Sequence, residues 1–520
     1  MKAGRLTAVT AAIAIAAIAA LTMASGAEAR GKIVADTGFS STVDGYSFAN
    51  YGNEGDPTDL TGAQMRKLFG GVVCSSFDTD GRCVLTPVAE MWMQSTNNAM
   101  ADGHCMGFAT TAELWFRGLG EPPTPAPYGS GTVPGLAIAG NAKLQSHIAY
   151  AWAFQMLTSV RKTGVEGAPG SVLTALRKGI DADGGPYVIL IFDDGGGHAV
   201  TPTAIERRGE GRFRIQIYDN NWPGQTRSIH VNTKTQKWSY VLGPGTKWSG
   251  DATTKSLAFV EPAAGLGHQP CPFCKAGGAK GRGLDASGDR IEVHWRGDAR
   301  DGRHGSLFVT DDRGDRTGCG RRGCENGIAG AQVWRLVTGG VRPWRFSPPP
   351  VIGLPGGRAY DVALGSTSLN GRAREGVDLI GPGFSLGAHR VGIREGESDH
   401  LLISRSARWL AFVNDRRGVE SPTMSLSIAG AGDDYDFEVV PAGIDRGATV
   451  GFALHRKRRV LEIVPRSGGD RERFTVRMTR YTEDGTVTFR DRIRVRSGSG
   501  LELEYGRWGS PGEPAPTATG

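Results

Sequence analysis

The spacing of apolar residues changes near residue 185 and separates a helical region from a β-rich one. Apolar side chains at 105, 108, 109, 112, 115 and 116 recur at helical spacing. Further helices are expected over about 141–162 and 171–180. From residue 187 onwards, short apolar or alternating runs such as 187–192 and 213–218 predict strands joined by turns. Helices followed by strands within residues 30–265 predict an α+β domain.

The rest of the chain predicts β-rich modules. Residues 266–350 hold two cysteine pairs, many glycines and arginines and only short strand candidates, so we expect a connecting region there. Residues 351–510 contain short alternating runs separated by turns, which is typical of one or two β-sandwich modules. Residues 511–520 are rich in Pro, Ala, Thr and Gly, and we expect a disordered tail. A length of 520 residues and 78 glycines agree with several domains and many turns.

The first 29 residues predict a signal peptide. Lys2 and Arg5 precede an apolar run over 6–23, and small residues around Ala29 indicate a cut after that residue. The alternative is a membrane anchor, but the apolar run is short and rich in alanine. No later segment is long and apolar enough to cross a bilayer. We therefore expect a secreted, extracellular protein without a membrane span.

The seven cysteines divide into six that form close pairs and one that stands alone. The pairs are Cys74 with Cys83, Cys271 with Cys274, and Cys319 with Cys324. In an exported protein such pairs predict disulfide bonds. A zinc site made by the last four cysteines is the alternative, and redox chemistry at the Cys-x-x-Cys motif is a third. Cys105 has no near partner, so cysteine parity makes it the candidate free thiol.

Three segments, 102–109, 195–200 and 218–224, carry residue types suited to thiol chemistry. Cys105 begins a predicted helix, whose N-terminus favours a thiolate, and His198 follows three glycines at an expected strand edge. An imidazole in that place can accept the thiol proton. A two-residue hairpin turn places Asp219 opposite His198, whereas a four-residue loop places Asn221 there. Either side chain is able to orient the imidazole, and Asp219 is the favoured one.

The order Cys, His, Asp or Asn, with the Cys at a helix start and the other two on a hairpin, resembles the papain-like cysteine proteases. The Asn220-Asn221-Trp222 stretch is similar to the Asn-Ser-Trp of that family, whose Asn orients the histidine, so Asn220 is a further candidate. The resemblance covers roughly residues 90–225 and implies a papain-like fold with an oxyanion donor before the cysteine. The family's Gln position is Ala99 here, which leaves Asn98 and Gln94 as candidate donors. The family's Cys-Gly-Ser-Cys-Trp signature is replaced by Gly-His-Cys-Met-Gly-Phe.

These residues predict a thiol protease, a cysteine peptidase that cleaves peptide or isopeptide amide bonds in a peptide or protein substrate. Its chemistry needs no cofactor and no metal. Transglutaminase-like acyl transfer is an alternative, because that family shares the residue order with Asp as the third member. A non-catalytic cell-surface binding protein with a papain-like shell is the alternative from another class.

The net charge of +7 is partly concentrated near the C-terminus. Four arginines alternate along one predicted strand and therefore share a face: Arg490, Arg492, Arg494 and Arg496. A further basic run covers 455–459. Attachment to an anionic cell-envelope polymer is one interpretation, and a solvated sheet face is the other. No nucleic-acid-binding motif accompanies these charges, so we expect no nucleic-acid partner.

Overall fold

A computed structural model of the protein describes residues 31–193, 196–274, 290–297, 305–320, 323–339, 349–365, 372–429, 433–467, 471–482, 485–506 and 518–519. The expected signal peptide, the cut after Ala29 and most of the expected disordered tail lie outside these residues. Among the helices of the described ranges, none has the length and apolar character needed to cross a membrane.

The helices of the described chain precede most of its strands. They are α1 (Gly62–Phe69), α2 (Pro87–Ala99), α3 (Cys105–Phe116), α4 (Ala142–Trp152), α5 (Thr158–Lys162) and α6 (Pro169–Asp183). The apolar spacing predicts α3 and α6, but it does not single out α2. That helix starts with Pro87, and the Thr86 hydroxyl accepts the Ala89 N–H, so capping chemistry marks its beginning.

The single helix expected over 141–162 is divided in the structure. Helix α4 ends at Trp152, residues 153–156 form a 3₁₀ turn, and Leu157 is extended before α5 begins. All four residues of the 3₁₀ turn are buried. Tertiary packing around these residues therefore interrupts the helix here, although the sequence favours a continuous helix.

The first eleven strands lie in the same part of the chain. They are β1 (Lys32–Asp36), β2 (Cys74–Phe77), β3 (Cys83–Leu85), β4 (Val165–Glu166), β5 (Val188–Asp193), β6 (Gly196–Gly209), β7 (Arg212–Tyr218), β8 (Thr226–Asn232), β9 (Lys237–Gly243), β10 (Thr246–Asp251) and β11 (Leu257–Val260). Strands β2 and β3 form a hairpin. The others form an antiparallel sheet in the order β10-β9-β8-β7-β6-β5-β11-β4, with β1 also paired to β6. Strand β6 has strand partners on both sides over part of its length, but the pairing with β7 ends at Thr201. His198 itself is paired only with Ile191 of β5, so it lies at a locally open end of the strand.

Helix α3 is the buried centre of the helical layer. Every residue from Cys105 to Trp115 is buried, as expected for a helix that packs on all sides. A side-chain carbon on Gly107 would lie 2.1 Å from the Ile148 carbonyl oxygen of α4. Only glycine therefore permits this close approach of the two helices.

The remaining strands build two further antiparallel sheets. They are β12 (Arg290–Gly297), β13 (Ser306–Asp311), β14 (Arg316–Gly320), β15 (Gly323–Asn326), β16 (Gln332–Trp334), β17 (Val351–Pro355), β18 (Tyr360–Gly365), β19 (Arg372–Gly381), β20 (Phe384–Arg394), β21 (Ser398–Ile403), β22 (Trp409–Val413), β23 (Thr423–Ile428), β24 (Asp434–Pro441), β25 (Thr449–His455), β26 (Val460–Arg466), β27 (Arg471–Thr482), β28 (Gly485–Arg496), β29 (Leu501–Glu504) and β30 (Ala518–Thr519). One sheet has the order β16-β17-β12-β19-β20-β23-β24-β27-β28, and the other has β15-β14-β13-β18-β21-β22-β25-β26-β29-β30. One hydrophobic core contains residues from both sheets, for example Leu379 and Val362, so the sheets pack face to face as a sandwich. Strands from within 290–334 belong to the same sheets as strands from within 351–504.

Three disulfide bonds confirm the predicted cysteine pairing. They join Cys74 to Cys83, Cys271 to Cys274 and Cys319 to Cys324. The zinc alternative for the last four cysteines is wrong in this structure, because their sulfur atoms are bonded to each other in pairs. Redox chemistry at the Cys-x-x-Cys motif stays a prediction, because a disulfide is the oxidised form of such a motif. Cys105 is the free cysteine, and it is buried.

Candidate active site

Cys105 lies at the first position of helix α3, as the sequence predicts. Its N–H belongs to the first turn, where no intrahelical partner exists, and it donates to the Thr338 carbonyl oxygen at 3.2 Å. The Cys105 Sγ accepts the N–H of Ala199, on strand β6, at 3.3 Å. Helix α3 and strand β6 thus hold the thiol between them.

His198 is the residue before Ala199, and its ring is fully buried beside this thiol. Its Nε2 atom lies 2.8 Å from Oδ1 of Asp219, which is also fully buried. Burial alone lowers the pKa of His198, but the charge and hydrogen bond of Asp219, together with Cys105, raise it to about 10. Nδ1, the other ring nitrogen, has no hydrogen-bond partner within the described chain.

Asp219 lies in the turn after strand β7, and it contacts His198 from that turn and not as a paired residue of the strand. The hairpin turn is Glu210-Gly211, two bulges shift the register of β6 and β7, and pairing ends at Thr201 opposite Tyr218. Neither turn geometry considered from the sequence therefore applies. The chain leaves the ladder after Tyr218, and Asp219 Oδ1 accepts the Asn221 N–H at 2.8 Å in the turn that follows.

Tyr240 on strand β9 completes the surroundings of Asp219. Its hydroxyl donates to the second oxygen, Oδ2, of that carboxylate. Burial raises the pKa of Asp219, but the charge of His198 and the hydrogen bonds from His198, Tyr240 and the Asn221 N–H bring it below its ordinary value. Tyr240 is not among the site residues predicted from the sequence, although its position in the alternating strand Lys237–Gly243 indicates an inward-facing side chain.

Asn220 and Asn221 lie beside the pair in other roles. Asn220 Nδ2 donates to the backbone oxygens of Cys105 at 3.2 Å and Ala199 at 2.9 Å, so this amide links α3 to β6 and makes no hydrogen bond to His198. Asn221 Nδ2 donates to the Gly339 carbonyl oxygen at 2.7 Å. Of the three candidates for the third residue, Asp219 is the one that contacts the imidazole.

Asn50 supplies a second donor to the carbonyl that faces Cys105. Its Nδ2 lies 3.0 Å from the Thr338 oxygen and 2.8 Å from the Gly339 oxygen. Its Oδ1 accepts the His104 N–H at 2.7 Å, which fixes the direction of the amide. Two N–H donors, from Cys105 and Asn50, therefore meet at one backbone carbonyl, as in an oxyanion hole.

The two donors expected from the sequence lie elsewhere. Gln94 is exposed on α2 and donates to Glu90 of the same helix at 3.1 Å. Asn98 lies near the end of α2, and in the described chain no side-chain hydrogen bond joins it to Cys105 or His198. Asn50 comes from the irregular segment before α1, where no local periodicity indicates an inward-facing amide.

The basic residues near the C-terminus are placed on the sandwich. Strand β28 is a terminal strand of its sheet, and its four predicted arginines are exposed, as a shared face requires. The anionic polymer expected there stays a prediction.

Comparison of the chain with protein-family models, curated proteins and solved structures finds no match. The function is accordingly inferred from the contacts of the site itself.

Proposed function

We propose that the protein is a secreted, papain-like thiol hydrolase that cleaves peptide or isopeptide amide bonds. Cys105 is the nucleophile, His198 is the acid–base residue and Asp219 orients and charges the imidazole. One observation carries the proposal: two N–H donors meet at a backbone carbonyl that lies beside a free thiol and a buried imidazole. The three disulfides support an oxidising compartment.

The nucleophile is activated by an ion pair. The negative charge of Asp219 favours the imidazolium form of His198, whose pKa is raised to about 10. A positive ring beside the sulfur and the N-terminus of α3 both favour the Cys105 thiolate. The thiolate attacks the carbonyl carbon of the substrate, and negative charge develops on the carbonyl oxygen.

The Cys105 N–H and Asn50 Nδ2 are placed to stabilise this charge. The Asn50 amide is held by the His104 N–H, so it does not need to reorient during the reaction. His198 then protonates the leaving amine, and a thioester remains on Cys105. Water hydrolyses the thioester and regenerates the thiol.

Acyl transfer is the second candidate for the same site. Transglutaminase-like enzymes have the order Cys, His, Asp, and here the residue that contacts His198 is Asp219. Asn220 is bound to backbone oxygens instead. The first half of the reaction is identical, and an amine replaces water in the second half. Adding a primary amine to the assay distinguishes the two, because only an acyl transferase incorporates it in preference to water.

The test is peptide hydrolysis by a variant whose site is accessible. Val337 is fully buried next to the site, and Val337→Asp places a charge there that favours displacement of residues 336–339; we call this protein the opened variant. We expect it to cleave peptide amides, Cys105→Ala in the same background to be inactive, and Asn50→Ala to lower kcat about 10²-fold.

Asn98→Ala is the matched control, since it removes an amide of the same type that lies outside the oxyanion position. It should leave kcat unchanged. A cooperative urea transition confirms that each variant is folded. If the opened variant cleaves no amide, or if cleavage persists without the Cys105 thiol, the protein is not this hydrolase. The first of these results would favour the alternative of a non-catalytic cell-surface binding protein.

A further inference from the structure

Residues 336–339, which we call the inserted segment, occupy the candidate active site. Leu336, Val337 and Thr338 are 3, 0 and 2% exposed, respectively. Leu336 and Val337 pack in the same hydrophobic core as Cys105 and Trp152. The segment follows strand β16 (Gln332–Trp334), so a part of the sandwich leads the chain directly into the site.

The site binds the backbone of the inserted segment residue by residue. The Val337 N–H donates to Gln155 Oε1 at 2.9 Å, and the Val337 carbonyl accepts from Gln155 Nε2 at 3.2 Å and Trp152 Nε1 at 3.1 Å. The N–H groups of Thr338 and Gly339 both donate to the Gly197 carbonyl, at 3.1 and 3.0 Å. Contacts to main-chain groups on consecutive residues are the way an extended peptide is recognised in a cleft.

The Thr338 carbonyl lies where a reacting carbonyl would be held. It accepts both the Cys105 N–H and Asn50 Nδ2. Gly339 follows it and adopts a φ of +55° against the two catalytic side chains. A side-chain carbon on Gly339 would lie 1.9 Å from His198 Nδ1 and 2.9 Å from Cys105 Cβ. The imidazole and the thiol therefore converge on the Thr338–Gly339 junction, and only glycine fits after the carbonyl.

We infer that the Thr338–Gly339 peptide bond is the protein's own substrate and that the site cleaves it intramolecularly. This inference rests on the proposed hydrolase function and adds to it the identity of one substrate. It also defines a substrate class: peptides with apolar side chains two and three residues before a Thr–Gly bond, recognised mainly through their backbone.

The reaction balances with water as the co-reactant. The Cys105 sulfur forms a bond to the Thr338 carbonyl carbon, the C–N bond to Gly339 breaks, and His198 gives its proton to the Gly339 nitrogen, which leaves as a free amine. Water then adds to the thioester, the S–C bond breaks, and Thr338 ends as a carboxylate. Of the two protons of that water, one returns to the thiol–imidazole pair, and the other, released when the new carboxylic acid ionises, is taken up by the freed Gly339 amine. Cleavage gives the end of the segment a free carboxyl terminus, which allows it to leave the site to other peptides.

The experiment follows the full-length chain by mass spectrometry and N-terminal sequencing during incubation at neutral pH. We expect loss of the intact chain and a new terminus that begins at Gly339. Cys105→Ala should abolish this cleavage, and Asn50→Ala should slow it about 10²-fold.

Gly339→Ala tests the position of the bond. The added methyl group would meet His198, so we expect no cleavage at this bond. Gly131→Ala is the matched control, because a side-chain carbon there would meet no atom within 4 Å, and it should be cleaved like the natural chain. A synthetic peptide of residues 332–344, offered to the opened variant, keeps the test informative if Gly339→Ala does not fold; we expect a cut between its Thr and Gly.

The outcomes separate this inference from the proposed function. An intact natural chain, or cleavage that persists in Cys105→Ala, overturns the self-cleavage. If the natural chain stays intact while the opened variant hydrolyses other peptides, the hydrolase function stands without it. If the opened variant hydrolyses no peptide at all, both proposals fail.

Discussion

Two imidazole–carboxylate pairs with buried carboxylates look alike in this molecule, but they differ in the exposure of the imidazole, which is 0% for His198 and 23% for His389, and in their other partners. His198 Nε2 lies 2.8 Å from Asp219 near the first sheet, and His389 Nε2 lies 2.5 Å from Asp378 in the sandwich. Both carboxylates are fully buried, and the pKa of each is lowered by its histidine despite burial. The pair alone therefore does not define an active site.

The difference lies in what else neutralises the carboxylate. Asp378 also forms an ion pair with the Arg296 guanidinium and accepts the Ser95 hydroxyl at 2.9 Å. The further donors to Asp219 are neutral, namely the Tyr240 hydroxyl and the Asn221 N–H. A permanent cation satisfies Asp378 whatever the charge of His389, whereas the charge of Asp219 is left for His198. The first arrangement is a structural clamp, and the second suits proton transfer.

The largest expected effect comes from replacing the two histidines. In the opened variant, His198→Gln should lower kcat/KM for peptide hydrolysis by about 10⁴-fold, because it removes the acid–base group. His389→Gln should leave kcat/KM within about twofold, while both should lower the free energy of unfolding in urea by about 1–3 kcal/mol. A large loss of activity in His389→Gln would remove the distinction between the pairs.

Replacing the two carboxylates, Asp219 and Asp378, should separate the two pairs in the same way. Asp219→Asn should lower kcat/KM by about 10²–10⁴-fold, since the amide no longer favours the imidazolium. Asp378→Asn should leave the rate unchanged but cost about 3 kcal/mol of stability, because Arg296 and His389 lose their shared partner. Steady-state kinetics and urea unfolding on the same preparations measure both. Equal kinetic losses in the two variants would contradict the assignment.

The pH dependence of stability should also separate the pairs. The pKa of His198 is raised from 6.5 to about 10, so its stabilising contribution is complete below pH 6.5 and is lost as the pH rises towards 10. The stability difference between the natural chain and His198→Gln should therefore shrink over that range. The pKa of Asp378 is lowered from 3.8, so its contribution is complete above pH 3.8 and is lost in more acidic solution.

Chemical denaturation at a series of pH values gives these differences directly. The difference between the natural chain and Asp378→Asn should be constant between pH 5 and 8 and shrink only in acid. A His198→Gln difference that does not change between pH 6.5 and 10 would show that the imidazole carries no extra proton in the folded protein.

The smallest effect is expected from Tyr240→Phe. It removes a hydrogen bond to the charged Asp219, worth about 1.5 kcal/mol, and should lower kcat about tenfold in the opened variant. Tyr360→Phe is the control, because it also removes one hydroxyl hydrogen bond, a partly buried one to the Pro355 carbonyl, in the sandwich and away from the site. It should lower stability slightly and leave kcat unchanged. An unchanged kcat in Tyr240→Phe, with a lowered kcat in Tyr360→Phe, would show that Tyr240 has no part in orienting Asp219.

The parts of this site that depend on short stretches of sequence could be predicted. The helical spacing after Cys105, the glycines before His198 and the close cysteine pairs are short-range signals, and the structure has the corresponding elements at those places. The β-rich character of the C-terminal part follows in the same way from alternation and turns. The register of the β6–β7 hairpin could not be predicted in this way, because two bulges in β6 shift the pairing and counting residues from the turn does not reveal them.

The parts that depend on long-range folding could not be predicted. Asn50 lies 55 residues before Cys105 in an irregular segment, and no periodicity there indicates its role. Thr338 and Gly339 follow a short strand of a different sheet and enter the site more than 200 residues after Cys105. Their carbonyl and backbone contacts arise only when the sandwich and the helical layer are folded together.

The most direct measurement of the central claim is the alkylation rate of Cys105 by iodoacetamide at pH 6 in the opened variant. Glutathione serves as the reference, since an ordinary thiol is almost entirely protonated at that pH. A thiolate–imidazolium pair predicts modification on the order of 10²-fold faster than glutathione, and a fall towards the glutathione rate in His198→Gln. A Cys105 that reacts no faster than glutathione, or whose rate does not depend on His198, would contradict the account.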